Sequence, residues 1–185
     1  KGRVKDLSLA ELRSLDAGTF FSEKYSGEKI PTLEEVFESV GKRTFINVEL
    51  TNYNTPRDQL VETVCMLVKK FGLQNRVIFS SFFASNLSKA RAYLPGVPRG
   101  LLAFNGLLGA WARSFGFAFG RYHALHPYLK DVTPQQVQRV HRLKRRVHVW
   151  TVNAAEDMRR VFRWGVDAIF TDDPQLAVKV RGETK

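Results

Sequence analysis

The chain has 185 residues, 44% hydrophobic and 25% charged, which is enough for one domain with a packed core and ordinary for a globular protein. A single cysteine and the lack of any long apolar run exclude an internal disulfide framework, a cysteine-based metal cluster and a membrane-spanning helix. Against 18 Asp and Glu stand 29 Lys and Arg, and the formal charge of +11 suits an anionic partner: nucleic acid, an acidic membrane surface or a phosphorylated substrate.

Lys1 to Asp16 reads as a short loop and then a helix, with Ser8 as N-cap and Glu11 in capping-box spacing. This start looks like the middle of a protein, so the lack of a leader pattern says nothing about export. The compartment stays open, with the lone cysteine leaning toward the cytoplasm. Ala17 to Lys29 is polar and glycine-containing, hence loop. A second helix begins at Pro31 and Thr32: Thr32 and Glu35 repeat the capping-box spacing, and Leu33, Val36, Phe37 and Val40 form an apolar stripe.

Phe45 to Thr51 alternates as a strand does, with Ile46, Val48 and Leu50 on one face and Phe45, Asn47, Glu49 and Thr51 on the other. In a parallel barrel the apolar face packs on helices, which turns Asn47, Glu49 and Thr51 inward and toward the strand's carboxyl end. A carboxylate there is costly unless paired or bound to a metal. Spacing alone leaves a metal ion and a salt bridge as alternatives.

Asp58 to Phe71 is an amphipathic helix stopped by Gly72, with Cys65 as a buried, inert thiol on its apolar face. Val77 to Phe82 is the next strand, and Ser80 and Ser81 at its end read as turn chemistry. Leu87 to Leu94 is a short basic helix broken by Pro95 to Pro98, and Gly100 to Phe104 is a further strand. Gly106 to Gly120 crowds Trp111, Phe115, Phe117 and Phe119 among small residues. Barrel packing is the expected role of these rings, and a hydrophobic rim touching a lipid-like substrate is the alternative.

Beyond His123, His126 and Pro127 lies a helix from Pro134 to Lys144. The basic run Arg139 to Arg146 reads as a solvated face, without the interleaved aromatics of a nucleic-acid platform. Val147 to Pro174 then reads as strand, helix, strand. His148 to Val152 is the first strand; Asn153 with Glu156 caps the helix; Met158, Val161 and Phe162 face the core; Gly165 stops it; Val166 to Phe170 is the second strand. A crossover helix makes such strands parallel and places ligand sites at their carboxyl ends. There the polar residues gather: Trp150, Thr151 and Asn153 after one strand, Asp172 and Asp173 after the next, with at least one aspartate read as a helix cap before Pro174.

Three segments, WTVN through GVDAIFTDDP at Trp150 to Pro174, IPTLEEVFESVGKRTFINVEL at Ile30 to Leu50 and RVIFSSF at Arg76 to Phe82, together resemble the glycerophosphodiester phosphodiesterase family. The likeness keeps the family's order over nearly the whole chain. It implies an α/β fold, a parallel β/α barrel of the TIM type, here incomplete and lacking its first strands, with residues 1–185 as a single domain. It implies, for the complete protein, metal-dependent hydrolysis of glycerophosphodiesters to glycerol 3-phosphate and an alcohol. The cofactor implied is a divalent metal, Ca²⁺ or Mg²⁺, on carboxylates, with two histidines transferring protons.

Carried over by position, Glu49 matches the family's metal-binding glutamate, with Asn47 two residues before it in the same strand motif. Thr51 stands where many members have a lysine that helps hold the phosphate. Trp150 matches the tryptophan expected to line the substrate groove, Ser80 and Phe82 match the strand end SSF, and Asp172 shapes the rim. The family's His-Arg-Gly strand, Glu-x-Asp pair and His-Asp histidine are not in this sequence. His123, His126, His141 and His148 match none of those motifs, so they are expected on the surface or in packing and no catalytic residue is assigned. The chain alone is therefore expected to be inactive. A non-catalytic barrel remnant acting as a binding or scaffold module is the alternative. The expected partner is a small glycerophosphodiester rather than a nucleic acid, with membrane contact at most peripheral and no oligomeric state indicated.

Overall fold

Both N-terminal capping boxes form as the spacing predicts, in a computed structural model that describes residues 2–184. The chain divides into two units, Lys1–Thr44 and Phe45–Lys185. In the first, Ser8 Oγ accepts from the Glu11 backbone and the Glu11 carboxylate accepts from Ser8 N at 2.7 Å, which starts α1 (Leu9–Ser14). Thr32 and Glu35 do the same for α2 (Leu33–Val40), on which Phe37 is buried. Each such box satisfies two donors that a helix start otherwise leaves without partners. Arg13 of α1 bridges both oxygens of the Glu35 carboxylate, at 2.8 and 2.6 Å. The pair is substantially exposed and so adds little stability.

The second unit alternates strand and helix: β1 (Ile46–Glu49), α3 (Leu60–Lys70), β2 (Val77–Ser81), α4 (Ala84–Tyr93), β3 (Arg99–Leu102), short α5 (Phe115–Phe119), β4 (Ala124–His126), α6 (Pro134–Arg142), β5 (Arg146–Val149), α7 (Ala155–Arg163), β6 (Ala168–Ile169) and α8 (Pro174–Glu183). The strands lie in sequence order and every neighbouring pair is parallel. Sequential parallel strands with crossovers of one hand roll the sheet instead of leaving it flat. The result is the expected α/β class, a six-stranded half-barrel of TIM type.

Side chains on the outer face of the sheet, among them Val48, Phe79, Leu101, Leu125, Val147 and Val149, are buried. Helix α4 covers β2 and β3, and α6 covers β5. Each such aliphatic side chain removed from water contributes about 1.5–3 kcal/mol, which fixes the sheet's orientation and leaves its inner face free for polar residues. Helix α7 ends at Gly165, whose φ of +83° is the left-handed conformation that only glycine adopts without strain.

Four expectations are corrected. Strand β4 was missed, because three residues before a proline are too few to show alternation. The strand expected at His148 to Val152 instead starts at Arg146, whose N–H donates to His123 O, and leaves the ladder after a single bridge between Trp150 and Tyr128. Asn153 does not cap α7; the N-cap is Ala154, because the Asn153 amide is held by Thr171 and Asp172 across the rim. The rings of 106–120 are not barrel packing, Phe117 excepted, since Trp111, Phe115 and Phe119 stand in solvent. Asp173 does cap α8, accepting from Leu176 N at 2.9 Å, and Cys65 is buried on α3 with its thiol pushed up to about 11 by burial.

Candidate active site at the carboxyl ends of the strands

The inner face of β1 carries Asn47 and Glu49 because Val48 and Leu50 are claimed by the core, and a strand sends neighbours to opposite sides. The parallel register sets Asn47 beside β2, where its amide donates to Ser80 Oγ at 2.9 Å. Phe82 follows β2 on the same side, and Leu102, Trp150, Thr151 and Phe170 complete the wall. These eight residues enclose a cavity of about 230 Å³ at the carboxyl ends of the strands.

Two contacts orient the aromatic wall. Trp150 Nε1 donates to His126 O at 2.8 Å, and Phe82 meets Trp150 edge-on at 5.7 Å while stacking on Phe104 at 4.3 Å. Beside Phe82, Tyr53 Oη donates to Glu49 Oε1 at 2.8 Å and accepts from Phe82 N at 3.3 Å. Burial, and then the adjacent Glu49 carboxylate, push the Tyr53 hydroxyl up to about 12, so it stays a donor to Glu49 at any working pH. Glu49 itself is exposed to the cavity and, among the described residues, makes no salt bridge. The ion-pair alternative raised by its strand position is therefore not what the fold uses.

The loop after Glu49 is anchored by a buried amide network. Asn86, fully buried, donates to Asn52 Oδ1 at 2.7 Å and to Leu50 O at 3.3 Å, while Asn52 donates to Asp58 at 2.6 Å. Ser81 Oγ donates to Leu50 O at 2.8 Å. Burial opposes the Asp58 charge, but the donations from Thr55 and Asn52 outweigh it and lower the carboxyl's pKa. Ser80 thus accepts a strand-to-strand bond inside the sheet, while Ser81 both donates across to Leu50 O and accepts from Phe83 N at 3.2 Å, the turn chemistry its sequence setting suggests.

Of the six predicted site residues beside Glu49, the fold brings Asn47, Ser80, Phe82 and Trp150 to the cavity. Thr51 and Asp172 lie outside its lining; Asp172 accepts from Asn153 Nδ2 at 2.6 Å on the rim. Tyr53, Leu102 and Phe170 were not anticipated, whereas Thr151 was expected among the polar residues after its strand. Tyr53 sits four residues past Glu49 in a loop whose path no local pattern encodes.

The histidines fall where packing puts them. His126 is fully inside, against His148 at 4.8 Å and Phe170 at 5.2 Å, and its two ring nitrogens have no hydrogen-bond partner among the described residues. Burial first, then neighbouring His148, pushes it down to about 3. His123 and His148 are lowered by burial too, while His141 bonds Asp167 at 2.9 Å on the surface. Among the described residues no three His, Cys, Asp or Glu side chains converge. Hard divalent ions take about six oxygen ligands, and Glu49 offers one carboxylate, so the residues present do not by themselves fit such an ion.

The sequence model of the glycerophosphoryl diester phosphodiesterase family matches residues 1–176. A glycerophosphodiester phosphodiesterase of Caldanaerobacter subterraneus subsp. tengcongensis is 35% identical over 181 residues, covering 97% of this chain and 73% of its own length. One from Bacillus altitudinis is 32% identical over 189 residues, covering 100% of this chain and 76% of its own. Among solved structures, an Oleispira antarctica phosphodiesterase in complex with the product sn-glycerol-3-phosphate aligns with a TM-score of 0.85 at 27% identity, over 97% of this chain and 72% of that one. A glycerophosphoryl diester phosphodiesterase structure from Silicibacter pomeroyi aligns with a TM-score of 0.86 at 25% identity, over 99% of this chain and 70% of that one.

Proposed function

Because this chain belongs to the glycerophosphoryl diester phosphodiesterase family, whose relatives are phosphoric diester hydrolases, we propose that its cavity forms one wall of a site that hydrolyses glycerophosphodiesters. The observation that carries the reading is the convergence of Asn47, Glu49, Ser80, Phe82 and Trp150 at the carboxyl ends of parallel strands, where α/β barrels place their chemistry. The product bound to the Oleispira neighbour supports glycerol 3-phosphate as the released half.

In this reading Glu49, steadied by Tyr53, would supply one hard-oxygen ligand to Ca²⁺ or Mg²⁺, the other ligands coming from groups that the described residues do not bring together. Phe82 and Trp150 exclude water from one side of the bound diester, and Asn47 with Ser80 offers polar edges to its oxygens. Thr51 carries no positive charge and lies outside the cavity lining, so this position supplies no cation to the phosphate. Neither His126, sealed in the interior, nor surface His141 is placed to exchange a proton in the cavity. The chain by itself is accordingly inactive, and activity needs the acid–base groups and remaining metal ligands from further sequence.

A chimera carrying the N-terminal portion of the Caldanaerobacter relative ahead of this chain tests the reading. Release of glycerol 3-phosphate from glycerophosphocholine is expected from the chimera with Mg²⁺ or Ca²⁺, lost on chelation and in Glu49→Ala. Full turnover by the Glu49→Ala chimera would sink the ligand assignment, and turnover by the unfused chain would sink the inactivity.

A further inference from the structure

Residues 106–119 leave β3 at the cavity end of the sheet and lead back to its amino end, where Arg121 O accepts from Arg99 at the start of β3. At their root Phe104 stacks on Phe82, which lines the cavity wall. Leu107, Leu108, Trp111, Phe115 and Phe119 all project into solvent, from 60% exposed at Trp111 to 93% at Leu107. Single exposed apolar residues are ordinary, but five large ones within so short a stretch, with Phe115 and Phe119 stacked at 6.2 Å, are what a contact surface shows.

The stretch is braced, which separates it from a loose loop. Arg113 donates to Phe104 O and Gly106 O, each at 2.7 Å, and pairs with Asp131 at 3.3 Å, while Gly106 N donates to the same Asp131 carboxylate at 2.8 Å. Arg113 and Asp131 are largely buried, so the fold uses a sheltered ion pair to hold apolar side chains out in water.

The flanks are basic. No Asp or Glu occurs between Arg99 and Lys130. Arg121, just past the patch, and Lys130, next to the bracing Asp131, are exposed and make no ion pair among the described residues. Asp131 itself is neutralised by Arg113. Aromatic and leucine side chains rimmed by unpaired cations fit the boundary between headgroups and acyl chains of an anionic bilayer. A second copy of this chain fits poorly, because each copy carries a formal charge of +11 and would bring the same cations together. Nucleic acid is the weaker fit: Trp111, Phe115 and Phe119 present rings, but Leu107 and Leu108, the two most exposed side chains of the five, offer bases neither a stacking face nor a hydrogen bond.

We propose that residues 106–119 dock this protein on an anionic lipid bilayer, with Leu107, Leu108, Trp111, Phe115 and Phe119 entering the interface and Arg121 and Lys130 meeting the headgroups. The inference does not depend on the hydrolytic reading, and its test measures binding alone.

Co-sedimentation with vesicles of phosphatidylcholine, with and without phosphatidylserine, makes the test. The chain is expected to bind the phosphatidylserine vesicles and to bind pure phosphatidylcholine more weakly. Replacing Trp111, Phe115 and Phe119 together by serine is expected to lower partitioning by about a hundredfold, from the apolar area no longer buried. Arg121→Glu with Lys130→Glu is expected to remove the preference for phosphatidylserine. All these side chains are exposed, and a circular-dichroism melt matching the parent shows that each variant folds. A parent chain that does not sediment with phosphatidylserine vesicles overturns the proposal. So does a triple-serine variant that binds as the parent does, which would leave only diffuse charge attraction. Concentration-dependent dimerisation that Trp111→Ser abolishes would assign the patch to a second copy instead.

Discussion

Replacing His126 by leucine should make folding less sensitive to acid. His126 is fully buried and its imidazole is pushed from an ordinary 6.5 down to about 3, by burial and then by His148. In the folded chain it stays neutral until the pH nears 3, whereas in the unfolded chain it takes up a proton below about 6.5. The unfolded state then binds more protons, so stability is complete above 6.5 and falls as the pH drops toward 3. At about 1.4 kcal/mol per pH unit the full loss is about 5 kcal/mol, comparable with the whole stability of a marginal domain. Leucine has a similar volume and no ring nitrogens to leave without partners, so the substitution costs little near neutral pH. Urea midpoints measured for both proteins from neutral pH down to about pH 4 are expected to converge or cross in favour of leucine as the medium acidifies. Native carboxylates that titrate at lower pH act on both proteins alike and cancel in the difference. Parallel pH profiles would refute the claim that a neutral, sealed His126 limits acid stability.

Gly100→Ala would place a methyl 2.2 Å from His126 Nε2, and overpacking of that kind costs about 1–3 kcal/mol. Adding His126→Ala should restore most of the loss in a thermal-denaturation double-mutant cycle, and strictly additive effects would disprove the contact. Asn86→Ala removes the donor that serves buried Asn52 and Leu50, with an expected loss of about 1–3 kcal/mol and faster amide exchange in the loop after Glu49. An unchanged exchange pattern there would show that Asn86 does not anchor the site.

Much of the fold was legible because its determinants are local. Ser8 with Glu11 and Thr32 with Glu35 each act over three residues, and the structure honours both. The alternation around Glu49 was legible for the same reason: once Val48 and Leu50 enter the core, Asn47 and Glu49 must face the other way. Asn153 shows the limit of that logic. Its capping-box spacing with Glu156 was sound, but partners 18 and 19 residues away, Thr171 and Asp172, hold its amide, and a tertiary partner in good geometry outcompetes a local one.

The sequence by itself determined the α/β class, the parallel relation of strands joined by a crossover helix and which end of them carries the polar residues, since these follow from periodicity, caps and crossover connections. Only the tertiary structure decided that Tyr53 steadies Glu49, that His126 is sealed beneath the cavity and that Trp150 turns toward Phe82. It alone decided that Trp111, Phe115 and Phe119 face water while Phe117, among the same small residues, is buried. The physical reason is range. Helix and strand signals are read over about four residues, whereas burial and side-chain partnership depend on segments that meet only after the chain has rolled into its half-barrel.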